Sequence, residues 1–332
     1  MNTHINLDKI KGTPIFKALS RLSVLLILFI ILAFTTHNFI KASNLSTILL
    51  QVAVYAVIAY GVTFVLIVGA TDLSAGSVVG LAGIVTALLL RDYNVSPIVA
   101  ILAGLATGLL CGFINGICVT YLKIMPFIAT LGTSWIFRGF CQLIGDGQPV
   151  TIRSSTNPEA AEFLKTLGSG RIGGFPIAAI VFLVLAVVLS ILLTKTVLGR
   201  NVFATGSNEE AARLSGINVR RTTICAFMLC DVMAALGGVL ITARLSSGQI
   251  AAGTGYELEG IAAAVIGGVS LMGGEGSIAG ALIGALIGAL IMGMLRNGLN
   301  LNGINSYWQQ IVIGTILIFA VAFDLFQRRK NK

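Results

Sequence analysis

The sequence predicts an all-α polytopic membrane protein of about ten transmembrane helices built on an inverted internal repeat. Three observations predict it. Apolar runs of membrane length succeed one another along the chain, basic residues collect at alternate ends of those runs, and one Gly-rich pattern occurs twice. Of the 332 residues 56% are hydrophobic and 11% charged, which excludes the soluble globular classes.

The apolar runs fall near 19 to 36, 46 to 68, 74 to 90, 97 to 121, 126 to 144, 176 to 194, 220 to 243, 256 to 272, 277 to 295 and 307 to 323. About 20 apolar residues cover roughly 30 Å of hydrocarbon, and shorter, broken segments persist where protein surrounds them. Gly, Pro and charge mark most of the boundaries. Lys9, Lys11, Lys17 and Arg21 precede the first run as they would in a signal peptide. Thr35-Thr36-His37-Asn38 follows it where a small-residue cleavage site would stand, so it reads as an uncleaved span.

An even number of spans puts both termini on one side. Placing them in the cytoplasm also puts there most of the 22 basic residues, including the island from Lys195 to Arg221 and the tail around Arg328-Arg329-Lys330. The predicted organisation is one transmembrane domain over 1 to 332, with cytoplasmic segments at 1 to 18, 195 to 221 and 324 to 332 and an outer loop at 145 to 175. The net charge of +9 is thus a matter of orientation in a lipid membrane. No basic stripe with interleaved aromatics suggests nucleic acid.

The polar island is the chain's most informative interruption. Ser207 to Glu210 has the Ser-x-x-Glu spacing of a capping box; Glu209 and Glu210 follow in the first turn, Arg213 stands in the last, and Gly216 supplies a stop. Two turns of helix are marginal in water, so this segment, with Asn208, Ala211 and Leu214 inside it and Arg200 upstream, must lean on something. It reads either as a docking surface for a soluble cytoplasmic partner or as a surface loop between two spans.

Gly104, Gly108, Gly112 and Gly116 recur every four residues in the fourth run, and Gly280, Gly284 and Gly288 do so in the ninth. Each series follows an acid-Leu pair, Asp72-Leu73 in one half and Glu257-Leu258 in the other. Matched spans five apart run in opposite directions, the pattern of an inverted repeat. The glycines themselves are assigned to close helix packing. Gly-rich breaks at 69 to 76 and 273 to 276 belong to the bundle interior, because irregular backbone at membrane depth must be covered.

No Walker A pattern occurs, and neither HExxH nor GxSxG stands in a suitable context, so the chain is read as a non-enzyme that binds no cofactor of its own. Cys111, Cys118, Cys141, Cys225 and Cys230 lie inside apolar segments without metal-site spacing and read as small packing residues. His4 and His37 lie outside the strongest apolar runs, which leaves no His for an intramembrane proton relay. Thr130, Ser134 and Arg138 form a polar stripe near Phe127 that suits a neutral, hydroxylated solute; the competing reading has the hydroxyls bonding their own helix and Arg138 reaching the outer interface. Asn115 and Asp231 stand more isolated in their spans and are further candidates for the solute pathway; Asp231 needs a partner or a cavity, so a structural pairing is the competing reading. Glu257 and Glu259 open a helix, where its dipole stabilises acids without a ligand. The cluster Asn305 to Gln310 is an aromatic belt or a pathway mouth.

The chain resembles the permease subunits of bacterial ABC importers for sugars, within the branched-chain amino acid and sugar permease superfamily. The blocks that carry the resemblance are Pro126 to Thr133, Gly199-Arg200 through Ile217, Ala243 to Ser247, Gly255 to Leu258, Ile266-Gly267-Gly268, Gly273-Gly274 and Asn297 to Asn300. The resemblance implies a type II importer fold, a homodimer in the bacterial inner membrane, a periplasmic sugar-binding protein above and ATP-binding cassette subunits below. ATP and Mg would be bound by that partner. Ser207 to Gly216 then matches the coupling helix, and the sugar is expected to be ribose, with another sugar or autoinducer-2 as alternatives. The outer loop from Asp146 to Phe175 is longer than the ribose members lead one to expect. An ion-coupled secondary carrier is the rival class; it needs a titratable relay, for which Asp231 and Asp72 are the candidates.

Overall fold

A computed structural model describes residues 14–152, 158–274 and 278–330. The first part of the N-terminal segment, the end of the tail, Glu275 and Gly276 of the second break and residues 153–157 of the outer loop lie outside them.

Helix α1 (Pro14–Thr35) leads through a short turn into α2 (Ala42–Ile67), which from Val52 onward is apolar and buried on every side. The chain leaves helical geometry over Val68–Ser74 and resumes in α3 (Ala75–Arg91). Ser96 caps α4 (Pro97–Thr120), accepting from the Val99 amide, and prolines open both α4 and α5 (Pro126–Ile144), where the missing N–H is no loss. The outer loop contributes β1 (Val150–Thr151), α6 (Pro158–Ser169) and the β2–β3 hairpin (Arg171–Ile172, Phe175–Pro176) before α7 (Ile177–Lys195). The polar island folds as α8 (Val197–Ser207) and α9 (Glu209–Leu214). Then come α10 (Val219–Leu245), capped by Asn218, β4 (Ser247–Gly248), α11 (Tyr256–Ile266), α12 (Ile278–Leu301) and α13 (Ser306–Lys330). Strand β4 pairs antiparallel with β1.

Each expected apolar run falls on a helix. Among the described residues six helices are long and apolar enough to cross a membrane, while Leu22–Thr35 and Ala75–Arg91 are shorter apolar segments. The eighth run is interrupted: α11 stops at Ile266, because Gly268 takes a positive φ and turns the chain out of the helix.

Packing follows the repeat. Helix α10 lies against α2, α3 and α4, and α2 in turn lies against α11 and α12. Exchanging α2, α3 and α4 for α10, α11 and α12 therefore maps one set of contacts onto the other. Glycine brings the paired helices to backbone distance. A Cβ at Gly104 would meet Thr86 and Ala82, at Gly108 the Asp231 carbonyl and at Gly112 the Phe227 carbonyl; at Gly284 it would meet Gly267, and at Gly288 the Ala263 carbonyl. The surroundings of Gly280 lie outside the description. The starts of the two broken helices also meet, since a Cβ on Gly76 of α3 would strike the Glu257 carboxylate of α11.

Helix α10, with 27 residues, spans about 40 Å and so separates the molecule's two ends. Its N-terminal end carries α9, and its C-terminal end carries α6, where Gly168 abuts the backbone of Arg244.

Candidate functional site

The polar turn is capped, one residue later than its spacing predicts. Ser207 is still helical, at the end of α8, so the Ser207–Glu210 capping box does not form. Asn208 takes the extended conformation and its side-chain oxygen accepts from the Ala211 amide at 2.9 Å. At the other end the Gly216 amide donates to the Arg213 carbonyl and the Ile217 amide to the Ala212 carbonyl, a double closure that needs the positive φ of +82° at Gly216. Arg200, Glu209, Glu210 and Arg213 face solvent, and Leu214, a large apolar side chain at the tip, is 81% exposed among the described residues. The Glu210–Arg213 pair, at 3.7 Å and open to water, adds little.

The turn is seated by backbone contacts. The Ser207 hydroxyl donates to the Gly274 carbonyl at 3.0 Å, the Gly274 amide donates to the Ile67 carbonyl at 2.8 Å, and Gly206 touches that same carbonyl so closely that no Cβ fits. The seat thus joins α8 to the last residue of α2 and to the segment that follows α11.

Inside the bundle, the residues expected to stand apart form a network. Asp72 Oδ1 accepts from the Ser74 amide at 2.8 Å and from its hydroxyl at 2.7 Å. The Asn115 amide group donates to Ser74 Oγ at 2.7 Å and to Asp231 Oδ2 at 2.9 Å, and Thr133 donates to Asn115 Oδ1 at 2.6 Å. Asn115 and Asp231 are therefore bonded to each other and not isolated. Thr133, absent from the predicted stripe, is the hydroxyl that joins this network; one helical turn from Thr130 and facing the same side, it was within reach of the spacing rule.

The rest of the stripe is largely taken up by the scaffold. Thr130 accepts from the Leu73 amide at 3.1 Å and donates within its own helix to the Pro126 carbonyl at 2.8 Å. Arg138 does not reach an outer interface. It is held inward, donating to the carbonyls of Ile250 at 2.6 Å, Ala252 at 2.9 Å and Gly76 at 3.1 Å, so it fastens the start of α3 to the loop before α11. Phe127 is exposed and Ser134 half-buried.

A second polar cluster lies among α2, α11 and α12, the repeat-related counterparts of α10, α3 and α4. Arg296 of α12 pairs with the buried Glu259 of α11, and its guanidinium lies 5.8 Å from the Tyr55 ring and 5.9 Å from the Tyr256 ring. The two rings meet edge to face at 5.2 Å. Glu259 therefore has a cation as well as a helix terminus. Arg296 and Tyr55 escaped the sequence reading because each is a single polar side chain in an apolar run, without periodic signal. Beside this cluster, toward the α6 end, lies a cavity of about 220 Å³ lined by Gln51, Tyr55, Arg244 and Tyr256 among others. Gln51 Oε1 is buried there without a partner among the described residues.

These features define the class: a multi-pass membrane transport component with broken helices in its interior and an exposed capped turn at one end. Residues 44–321 match the family described as branched-chain amino acid transport system / permease component, and the chain belongs to that family. It is 42% identical over 300 residues to the ribose import permease protein of Bacillus subtilis (strain 168), covering 90% of each chain. It is 41% identical over 303 residues to the ribose import permease protein of Escherichia coli (strain K12), covering 91% of this chain and 92% of the other. The galactose/methyl galactoside import permease protein of Escherichia coli (strain K12) is 39% identical over 322 residues, 93% of this chain and 94% of its own. No solved structure matches the chain.

Proposed function

We propose that the chain is the membrane-spanning permease subunit of an ATP-driven importer for a monosaccharide, with ribose first among the candidates. The observation that carries this reading is the seat of the polar turn: a capped helix with an exposed apolar tip, fastened by backbone contacts to the ends of two broken halves. A separate ATP-binding cassette subunit, holding ATP and Mg, docks on Arg200 and on Asn208 to Gly216. Closure of that subunit moves the turn, and the turn moves Ile67 and Gly274 together. Two copies of the chain form the pathway unit in the bacterial inner membrane, with termini and polar turn in the cytoplasm. A periplasmic binding protein docks at the α6 end.

The solute passes the cavity lined by Gln51, Tyr55, Arg244 and Tyr256, where two aromatic side chains stand with Gln51 Oε1, unpartnered among the described residues, a combination that suits a sugar. Phe127 and Ser134 contribute to the same pathway across the subunit pair, while Asn115, Thr130, Arg138 and Asp231 hold the scaffold. A second reading, galactose as the cargo, is favoured by the nearly equal similarity to the galactose/methyl galactoside permease.

The test is reconstitution of the chain with its ATP-binding subunit and binding protein in proteoliposomes, with radiolabelled ribose and galactose offered in parallel. ATP-dependent accumulation of ribose supports the reading. Accumulation of galactose alone moves the cargo, and uptake driven by a proton gradient without ATP overturns it.

A further inference from the structure

Asp72 and Asp231 are fully buried, and each has one carboxylate oxygen without a hydrogen-bond partner, Asp72 Oδ2 and Asp231 Oδ1. The remaining oxygens are engaged by Ser74 and Asn115. Ligand atoms of Asp72, Asp231 and the Cys230 thiol lie within 4.8 Å of one another. No ion pair reaches either acid among the described residues. Two bare carboxylates this close, out of water and without a counter-charge, are not a stable arrangement, so the site must hold something positive.

The surrounding groups decide what. Zinc takes four ligands and calcium six or more oxygens, whereas the described residues offer here two carboxylate oxygens without a partner and the thiol of Cys230. Asn115 Oδ1, the other oxygen at hand, is already occupied by Thr133. The Asn115 amide group and the Ser74 hydroxyl turn hydrogens toward the acids, which opposes a metal ion and suits a carboxylate. The other titratable groups facing the pair are Cys230 from α10 and Cys111 from α4, with Glu257 of α11 beyond them and Arg138 of α5 beside Glu257. None of them neutralises it.

We propose that Asp72 and Asp231 form a proton-binding site, a single proton shared between Asp72 Oδ2 and Asp231 Oδ1 so that one group is a carboxylic acid and the other a carboxylate. Such pairs hold one proton because like charges this close, within 4.8 Å and out of water, cannot both ionise. The bound proton clasps the segment before α3 to the middle of α10. That same segment directly follows Ile67, whose carbonyl seats the polar turn, so the clasp ties the docking seat to the bundle core.

Infrared spectroscopy of the full chain in lipid nanodiscs tests this, with the wild type compared against the double variant Asp72→Asn/Asp231→Asn, whose amides preserve size and shape. At neutral pH the wild type should show one additional carboxylic acid C=O band per chain, shifted in heavy water and lost in the double variant. As pH rises above the ordinary carboxylate range the wild-type Tm should fall while the band persists and level off once alkali removes the band, a fall that the double variant lacks. A difference of zero or of two carboxylic acids overturns the proposal. So does a Tm rise on adding sodium, calcium or zinc that the double variant does not share, which would make the site a metal site.

Discussion

The repeat relates two polar clusters in the bundle, each drawn from both halves, and the two satisfy their buried acids by different means. In one, Asp72, Ser74, Asn115, Thr133 and Asp231 are joined by hydrogen bonds, with no cationic side chain among them. In the other, Glu259 is answered by Arg296, flanked by Tyr55 and Tyr256. The contacts between helices are exchanged almost one for one by the repeat, yet the chemistry is not. Backbone packing is what the two halves share, since glycine at the crossing points dictates helix separation whatever polar group lies nearby.

The comparison breaks most sharply at the ion pair. Replacing Arg296 by Met should leave Glu259 buried and alone and destabilise the chain by about 3–5 kcal/mol, read as thermal unfolding in nanodiscs. Adding Glu259→Gln should recover much of that loss, and a single variant as stable as the wild type would remove the pair from the account of the fold. Gly108→Leu should cost about 1–3 kcal/mol or more through forced separation of α4 from α10. Gly132→Leu, where an added Cβ meets nothing within 4 Å, should leave Tm unchanged.

In the hydrogen-bonded cluster, Asn115→Leu strands partners on Ser74, Thr133 and Asp231 and should cost roughly 1–3 kcal/mol. Thermal unfolding at fixed pH checks it, and a smaller loss than in Gln-rescued Arg296 variants would show that the network is loosely bonded. The smallest effects belong to the polar turn: Asn208→Ala should cost about 1 kcal/mol in local helix stability, while Ser207→Ala, which removes no cap, should cost less. Hydrogen exchange at Ala211 distinguishes them, and the reverse order would restore Ser207 as the cap.

Much of the fold was legible in the chain. Apolar runs, Pro openings and the four-residue Gly series located the helices and the crossings, because each rests on a local rule about length, φ or the absence of a Cβ. The polar turn was legible in outline and displaced by one residue, since Ser207 and Asn208 are both competent caps and the continuation of α8 through Ser207 decides between them. The interior networks were not legible. Asn115 meets Asp231 across 116 positions of sequence, and Arg138 meets Ile250 across 112, distances over which no periodicity connects two single residues. Arg138 in particular looked amphipathic at a helix surface because its acceptors are backbone carbonyls, which carry no signature in side-chain pattern.

The central claim, that force enters through the capped turn from a separate ATP-binding subunit, is tested most directly by ribose accumulation in proteoliposomes containing the chain alone, the full complex, or the complex with Gly216→Val. The complex should accumulate ribose with ATP, the variant should hydrolyse ATP with uptake at least about tenfold lower because Val strains the left-handed stop, and the chain alone should accumulate nothing. Accumulation against a gradient by the chain alone, or undiminished uptake by the Gly216→Val complex, would contradict it.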